Sequence, residues 1–280
     1  MIKFLALFLF SSNLYADVFD GNSGGIIALP VSNEYASNEY LLFEIDGKKF
    51  VIAGMPYVLE ERVINIDKEK IKVIPVDYGE SRITIQNDSL VNPSLEDQER
   101  AARERKLLQS VLSKKSNFDL DDLKFLRPVE GAVTSGFGKK RFINDLPRSP
   151  HLALDLDGFD GDPIVAPLDA KVVLVDNFFY SGNIIVLDHG SNVFTSYSHM
   201  KKSHKMVGDT VIKGDLIGEI GSTGRVTGPH LHWVIYMNGN RINPEIVLEK
   251  DFPKNLLADY QDAPEAVSYT HLTLPTMAIV

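Results

Sequence analysis

Through most of the chain, apolar positions alternate with polar ones or gather in short runs closed by turn residues, which is the signature of strands rather than of long helices. Between about Gly24 and Leu90, residues 40–45, 49–54 and 82–86 read as strands, and Asp46-Gly47 between the first two is a strong hairpin signal. Short strands at this spacing predict a small β-sandwich over residues 17–91. Asn92-Pro93-Ser94 breaks the pattern, and Ser94 with Asp97 three residues later marks a helix start that carries to about Ser113. Glu96 with Arg100 and Glu99 with Arg103 are i,i+4 pairs, so residues 92–124 read as a solvated helical linker between domains joined by modest contacts. Strands resume over residues 125–250, with candidates at 171–175, 183–188 and 193–199 and glycine as the main punctuation. Residues 251–280 read as a tail. Beyond Ala263 no amphipathic pattern survives, and that stretch reads either as a disordered tail or as a cloning-derived extension. The expected fold class is mainly β.

The N-terminus changes the picture of where this protein works. Met1-Ile2-Lys3 followed by the apolar run 4–10, with Leu14-Tyr15-Ala16 before Asp17, reads as a signal peptide over residues 1–16. The run is too short to span a bilayer comfortably, so no integral membrane segment is expected after cleavage. The chain has no cysteine, which suits an exported protein stabilised by its core or a metal rather than by disulfides. The expected location is a bacterial periplasm. At 280 residues there is room for two domains. A formal net charge of -9 argues against an electrostatic grip on nucleic acid or anionic lipid.

The chemistry concentrates in two short stretches. Along an extended strand, residues two or four apart share a face, so His230 and His232 project together, as do His151 and Asp155. Leu152, Leu154 and Leu156 then fall on the opposite face, with Leu231 and Trp233 doing the same in the second stretch. Two such strands can deliver three metal ligands. Two imidazoles and a carboxylate leave one tetrahedral position open, which is the ligand count of a catalytic zinc. Histidines outside such a group are more often structural, and His189, His204 and His271 are read that way.

Several blocks in order then add up to a resemblance. They are Ser135-Gly136-Phe137-Gly138 with Arg141 and Asn144, His151 to Asp155, Pro163 to Pro167, Tyr197-Ser198-His199, Val207 to Gly214, and Gly221 to His232. From Arg127 to about Pro244 the chain resembles the lysostaphin/LytM-type zinc endopeptidases, which cleave peptide bonds in bacterial peptidoglycan. The preceding part looks like the immunoglobulin-like domain of a Gram-negative subgroup. The resemblance implies an antiparallel β catalytic domain, one Zn2+ per chain on His151, Asp155 and His232, and His199 and His230 as unligated catalytic histidines. It implies peptidoglycan stem peptides as substrate, with the D-alanyl to diaminopimelate cross-link as the expected bond, and a regulatory protein as a further partner. Two positions depart from the family pattern. Ala153 stands where glycine is common, and Asp157 stands where a small or apolar residue is more usual. Arg225, in the loop leading to His230, reads as groove-lining or loop-ordering.

Two rival readings compete for the same residues. Some relatives have lost ligands and activate other cell-wall hydrolases, but all five histidine and aspartate positions are present here. Val207 to Asp215 also resembles the hairpin of biotinyl or lipoyl carrier domains. That reading puts Lys213 inside the hairpin motif and leaves the histidines unexplained.

Overall fold

A computed structural model describes residues 19–37, 39–45, 47–86, 91–120 and 122–261. The expected signal peptide, Asp46 of the hairpin signal, His271 and residues 262–280 of the tail lie outside the described residues. No helix among the described residues is long and apolar enough to cross a membrane.

The N-terminal part holds seven strands: β1 (Phe19–Asn22), β2 (Ile26–Val31), β3 (Leu41–Ile45), β4 (Lys48–Gly54), β5 (Arg62–Ile66), β6 (Glu69–Ile74) and β7 (Glu80–Ile83). Strands β2, β4 and β3 form one antiparallel sheet in that order, and β1, β6 and β5 form a second in which β1 runs parallel to β6. Leu29, Val51, Ala53 and Met55 meet Ile66, Ile71 and Val73 between the two sheets. The unbroken run Phe50-Val51-Ile52-Ala53 is needed because β4 is covered on both faces. Its alternate residues Phe50 and Ile52, with Ala28 and Leu41, enter a different core, that of the C-terminal part.

Helix α1 (Leu95–Leu112) begins where the sequence places it, with the Ser94 hydroxyl accepting from the Asp97 N–H. It is not a solvated linker. Leu108, Val111 and Leu112 pack against Leu174, Phe178 and Phe194 of the following sheet. Arg100 turns away from Glu96, pairs with Glu104 at 2.7 Å and donates to the Asn177 carbonyl at 2.9 Å. Glu104 in turn accepts from the Phe179 N–H at 2.8 Å. Only Glu99 and Arg103 keep the expected pairing, at 4.0 Å.

The C-terminal part continues with β8 (Val133–Ser135), β9 (Lys139–Ile143), β10 (Leu146–His151), β11 (Leu154–Asp157), β12 (Pro163–Val165), β13 (Ala170–Phe178), β14 (Gly182–Asp188), β15 (Val193–Ser203), β16 (Thr210–Val211), β17 (Leu216–Ile220), β18 (His230–Met237) and β19 (Asn240–Ile242). Short helices α2 (Pro244–Val247) and α3 (Lys254–Gln261) follow. The main sheet is antiparallel, in the order β16-β13-β14-β15-β18-β11-β8, with β17 pairing β15 and carrying β12, and β19 pairing β18. Alternation along β18 sorts its faces. Leu231, Trp233, Ile235 and Met237 enter the larger core, while Val234 and Tyr236 join the patch covered by α1.

The two parts share that larger core. Leu41, Phe50 and Ile52 are each at most 2% exposed within it. Burying a side chain of this size contributes about 1.5–3 kcal/mol, so the contact is structural rather than modest. The Gly54 N–H also donates to the Asn238 side chain at 2.7 Å. Strand β7 leaves the N-terminal sheets and pairs in parallel with β9, from Glu80 opposite Lys140 to Ile83 opposite Ile143. Phe252 and Leu257, from the stretch read as tail, are buried in the common core too.

Candidate metal centre

The register of the main sheet brings the candidate ligands together. Asp155 on β11 lies opposite His232 on β18, and Asp157 lies opposite His230. His151 arrives differently from the sequence expectation. It does not share a strand with Asp155, because β10 ends at His151 and β11 begins at Leu154. Pro150 has no N–H to offer a ladder, and the β9–β10 register shifts between Arg148 and His151. The chain therefore steps from one sheet into the other across Leu152 and Ala153. Leu154 and Leu156 enter the core as expected, whereas Leu152 stays half-buried. Ala153 is fully buried beneath α1, where one methyl fits.

His151 Nδ1–H donates to the Gly136 carbonyl at 3.0 Å, which leaves Nε2 facing the cluster. From Nε2 it is 3.1 Å to Asp155 Oδ1 and 3.3 Å to His232 Nδ1, and those two are 2.7 Å apart. All three ligand atoms lie within 4.8 Å of one another. Donors around a tetrahedral ion at about 2.0–2.1 Å stand about 3.3–3.4 Å apart, so the two pairs that involve His151 already fit to within about 0.3 Å and the Asp155–His232 pair would part by about 0.6–0.7 Å to admit an ion. Burial alone would raise the Asp155 carboxyl, but His232 and the hydrogen bonds from both imidazoles hold it well below the usual carboxylate range. Burial pushes His232 down to about 4 against the pull of Asp155. At neutral pH the cluster is thus one carboxylate with an uncharged His232, the protonation that cation binding requires.

His199 and His230 face the same space. Ring centroids of His199 stand 5.0 Å from His230 and 5.5 Å from His232, and His230 Nε2 is 3.9 Å from Asp155 Oδ1. Simple alternation along β15 would put His199 on the core face with Tyr197. Three steps on β15, from Tyr197 to Met200, oppose two on β14, from Ile185 to Asn183, so β15 carries a bulge here. His199 absorbs it at φ 64°, a left-handed conformation that costs an L residue about 1–2 kcal/mol, and points to the cluster side. Its N–H donates to the Ser181 carbonyl and its Nδ1–H to the Thr223 carbonyl, at 2.8 and 2.9 Å. Burial, then the neighbouring His232 and His230, lower His199 to about 3.

Two glycines make this clamp possible. A Cβ on Gly182, at φ 60°, would stand 2.4–2.5 Å from the Thr223 backbone, and one on Gly224 would stand 2.4 Å from the Gly182 nitrogen. Thr223 itself also binds the Asn183 N–H and the Met200 carbonyl through its hydroxyl. Thr223 and Gly136 are positioning residues that stand inside the motif blocks, where residue type alone gives them no task. Arg225 stacks over Tyr180 at 4.1 Å and lines the groove, while Asp157 is exposed at the far end of β11, in a different cavity from the cluster. His189 and His204 are engaged elsewhere, with Thr195 and Glu219.

Residues 149–244 match the family model described as Peptidase family M23. Over 132 residues the chain is 34% identical to the peptidoglycan DD-endopeptidase ShyA of Vibrio cholerae, a match covering 46% of this chain and 31% of that protein. Over 134 residues it is 31% identical to the DD-carboxypeptidase/endopeptidase Mpg of Neisseria meningitidis, covering 48% of this chain and 30% of Mpg. The chain thus spans under a third of the length of these curated relatives. A Pseudomonas aeruginosa structure assigned to peptidase M23 shares the fold, with a TM-score of 0.63 at 24% identity, covering 81% of this chain and 94% of that one. The match to the Peptidase family M23 model over residues 149–244 therefore encloses the whole His151, Asp155 and His232 cluster.

Proposed function

We propose that this protein is a zinc-dependent endopeptidase of the bacterial periplasm that hydrolyses the peptide cross-links of peptidoglycan, between D-alanine and diaminopimelate. The observation that carries the reading is the convergence of His151 Nε2, Asp155 Oδ1 and His232 Nδ1 within 4.8 Å, with two further imidazoles turned toward the same space. The names of the relatives, a DD-endopeptidase and a DD-carboxypeptidase/endopeptidase, support the substrate class.

Zinc supplies such a site with Lewis acidity, making water a nucleophile near neutral pH and drawing charge from the carbonyl under attack. The remaining work falls to the chain. His199 is locked by Thr223 with Nδ1 protonated, so Nε2 is a proton acceptor. His230 is oriented in the same way, Nδ1 to the Gly228 carbonyl at 3.0 Å. One imidazole takes the proton of the attacking water, and the other, once protonated, donates to the developing oxyanion or the leaving nitrogen. The Thr223 and Gly228 carbonyls fix the tautomers on which both tasks depend, and Gly136 does the same for the ligand His151.

The test is digestion of purified sacculi by the zinc-loaded protein, with the released muropeptides identified. Monomeric stem peptides from cross-linked dimers are the expected products. A fully loaded protein that leaves sacculi intact but accelerates another wall hydrolase would replace this reading with the regulatory one.

A further inference from the structure

Beside the metal centre the groove widens into a cavity of about 730 Å³ lined by His151, His232, Tyr180 and five arginines, among them Arg141, Arg148 and Arg225. No carboxylate lines it, although the chain as a whole carries a net charge of -9. Among the described residues, Arg141 and Arg148 make no ion pair, and the Nε of each is buried without a hydrogen-bond partner. Arg148 reaches only the Val91 carbonyl, at 3.3 Å. Arg225 is held flat against Tyr180. Burial, together with repulsion from Arg141 and Arg148, lowers the pKa of Arg225, and burial does the same to Arg141. Asp155 is the carboxylate that acts on Arg141, and three half-buried like charges set beside it draw a further anion among them. Guanidinium groups are the side chains suited to grip a planar carboxylate through paired N–H donors.

We infer that Arg141, Arg148 and Arg225 form a subsite for a free carboxylate carried by the substrate peptide beside the scissile amide. The inference rests on the endopeptidase reading and sharpens it. In a D-alanyl to diaminopimelate link, the carbon bearing the scissile nitrogen also bears a free carboxylate, and the terminal residue of an uncrosslinked stem peptide presents the same group. A glycine bridge offers none within its length. The subsite therefore selects for a charge next to the bond that is cut and serves endopeptidase and carboxypeptidase substrates alike.

The test uses two acylated dipeptides that differ only in whether the carboxylate beside the scissile amide is free or converted to a carboxamide. Binding to the full chain without metal is measured by calorimetry, and cleavage is measured separately on the zinc-loaded protein. The carboxylate peptide is expected to bind about tenfold or more tightly than the carboxamide. The ratio should fall to about one in Arg148→Gln/Arg225→Gln and survive in part in Arg148→Lys/Arg225→Lys. Single Arg148→Gln, which loses one backbone contact, gives the same direction if the pair folds poorly. Equal binding of the two peptides by the unmodified chain, or a ratio untouched by the Gln substitutions, overturns the subsite. Discrimination in binding with no cleavage of peptides or sacculi leaves the subsite standing and removes the endopeptidase reading. Cleavage without discrimination does the reverse.

Discussion

His189 and His199 lie at opposite ends of the β14–β15 hairpin and look alike at first. Both are buried, both donate Nδ1–H to a backbone carbonyl, and burial lowers them to about 4 and about 3 respectively. The difference is the other nitrogen. His189 Nε2 is taken by the Thr195 hydroxyl at 2.7 Å, in a chain that continues to Tyr197 at 2.8 Å. His199 Nε2 has no hydrogen-bond partner among the described residues and looks into the metal cluster. The same residue type, equally desolvated, is a structural strut in one place and in the other keeps a ring nitrogen open toward the cluster. Neither burial nor lowered basicity separates the two, and the unfilled valence does.

The largest effect that frames this comparison comes from the ligands. His232→Ala should empty the site, because two remaining donors hold zinc weakly, and metal content measured on purified protein should fall from about one per chain to near zero. Activity should vanish with it. Unchanged metal content would remove His232 from the ligand set. Next in size, His199→Ala should keep its metal and lose about 10²-fold or more in turnover. His189→Gln should keep turnover per folded molecule. If the two substitutions act alike, the distinction drawn from their Nε2 atoms fails.

Acid offers a third way to separate them. Because the folded pKa of His189 lies at about 4, below the ordinary value of 6.5, the unfolded chain binds more protons between those limits. Stability from this group is complete above about pH 6.5 and is lost as pH falls toward 4, an effect of about 3 kcal/mol in total. Denaturant titrations of His189→Gln should show a flatter pH dependence across that window than the unmodified chain. A slope that does not change would mean that His189 is not buried uncharged.

How much of this was legible beforehand depended on the range of the signal. The convergence of His151, Asp155 and His232 could be read because residue type and local spacing suffice, although His151 reaches the cluster by stepping between sheets and not by sharing a strand with Asp155. The orientation of His199 could not be read. Alternation places it with Tyr197 on the core face, and the bulge that turns it depends on the length of β14, on the other side of a turn. The docking of α1 escaped because Arg100 finds Asn177 at 2.9 Å across 77 residues, while the sequence shows only Glu96 one turn away. The departure of β7 to pair with β9 was hidden for the same reason. A strand of four residues does not announce its partner.

The smallest effect concerns that strand. Ile83 and Ile85 wall the space in front of His199 and His230, and the Asn144 side chain pins the Ile85 backbone through two hydrogen bonds at 2.9 and 3.0 Å. Asn144→Ala should free this wall and raise the rate on sacculi by a few-fold, read as soluble fragments released per unit time. A fall would make the wall part of the substrate's seat rather than a cover. Truncation near Phe125 is the poorer experiment. It strips Leu41, Phe50 and Ile52 from the common core and would report on folding.

That common core also dictates a timetable. Residues 28–52 are synthesised early, yet the side chains that close over them, Met237, Ile242 and Leu257 among others, come near the end of the described chain. Gly54 waits 184 residues for Asn238. Contacts so distant in sequence form late and slowly, because loop closure must precede any gain from packing. The cluster, whose last ligand is His232, is completed in the same closing step. A partly made chain therefore has neither a finished N-terminal wall nor a finished His-Asp-His cluster, and the cluster and the structure that encloses it come into existence together.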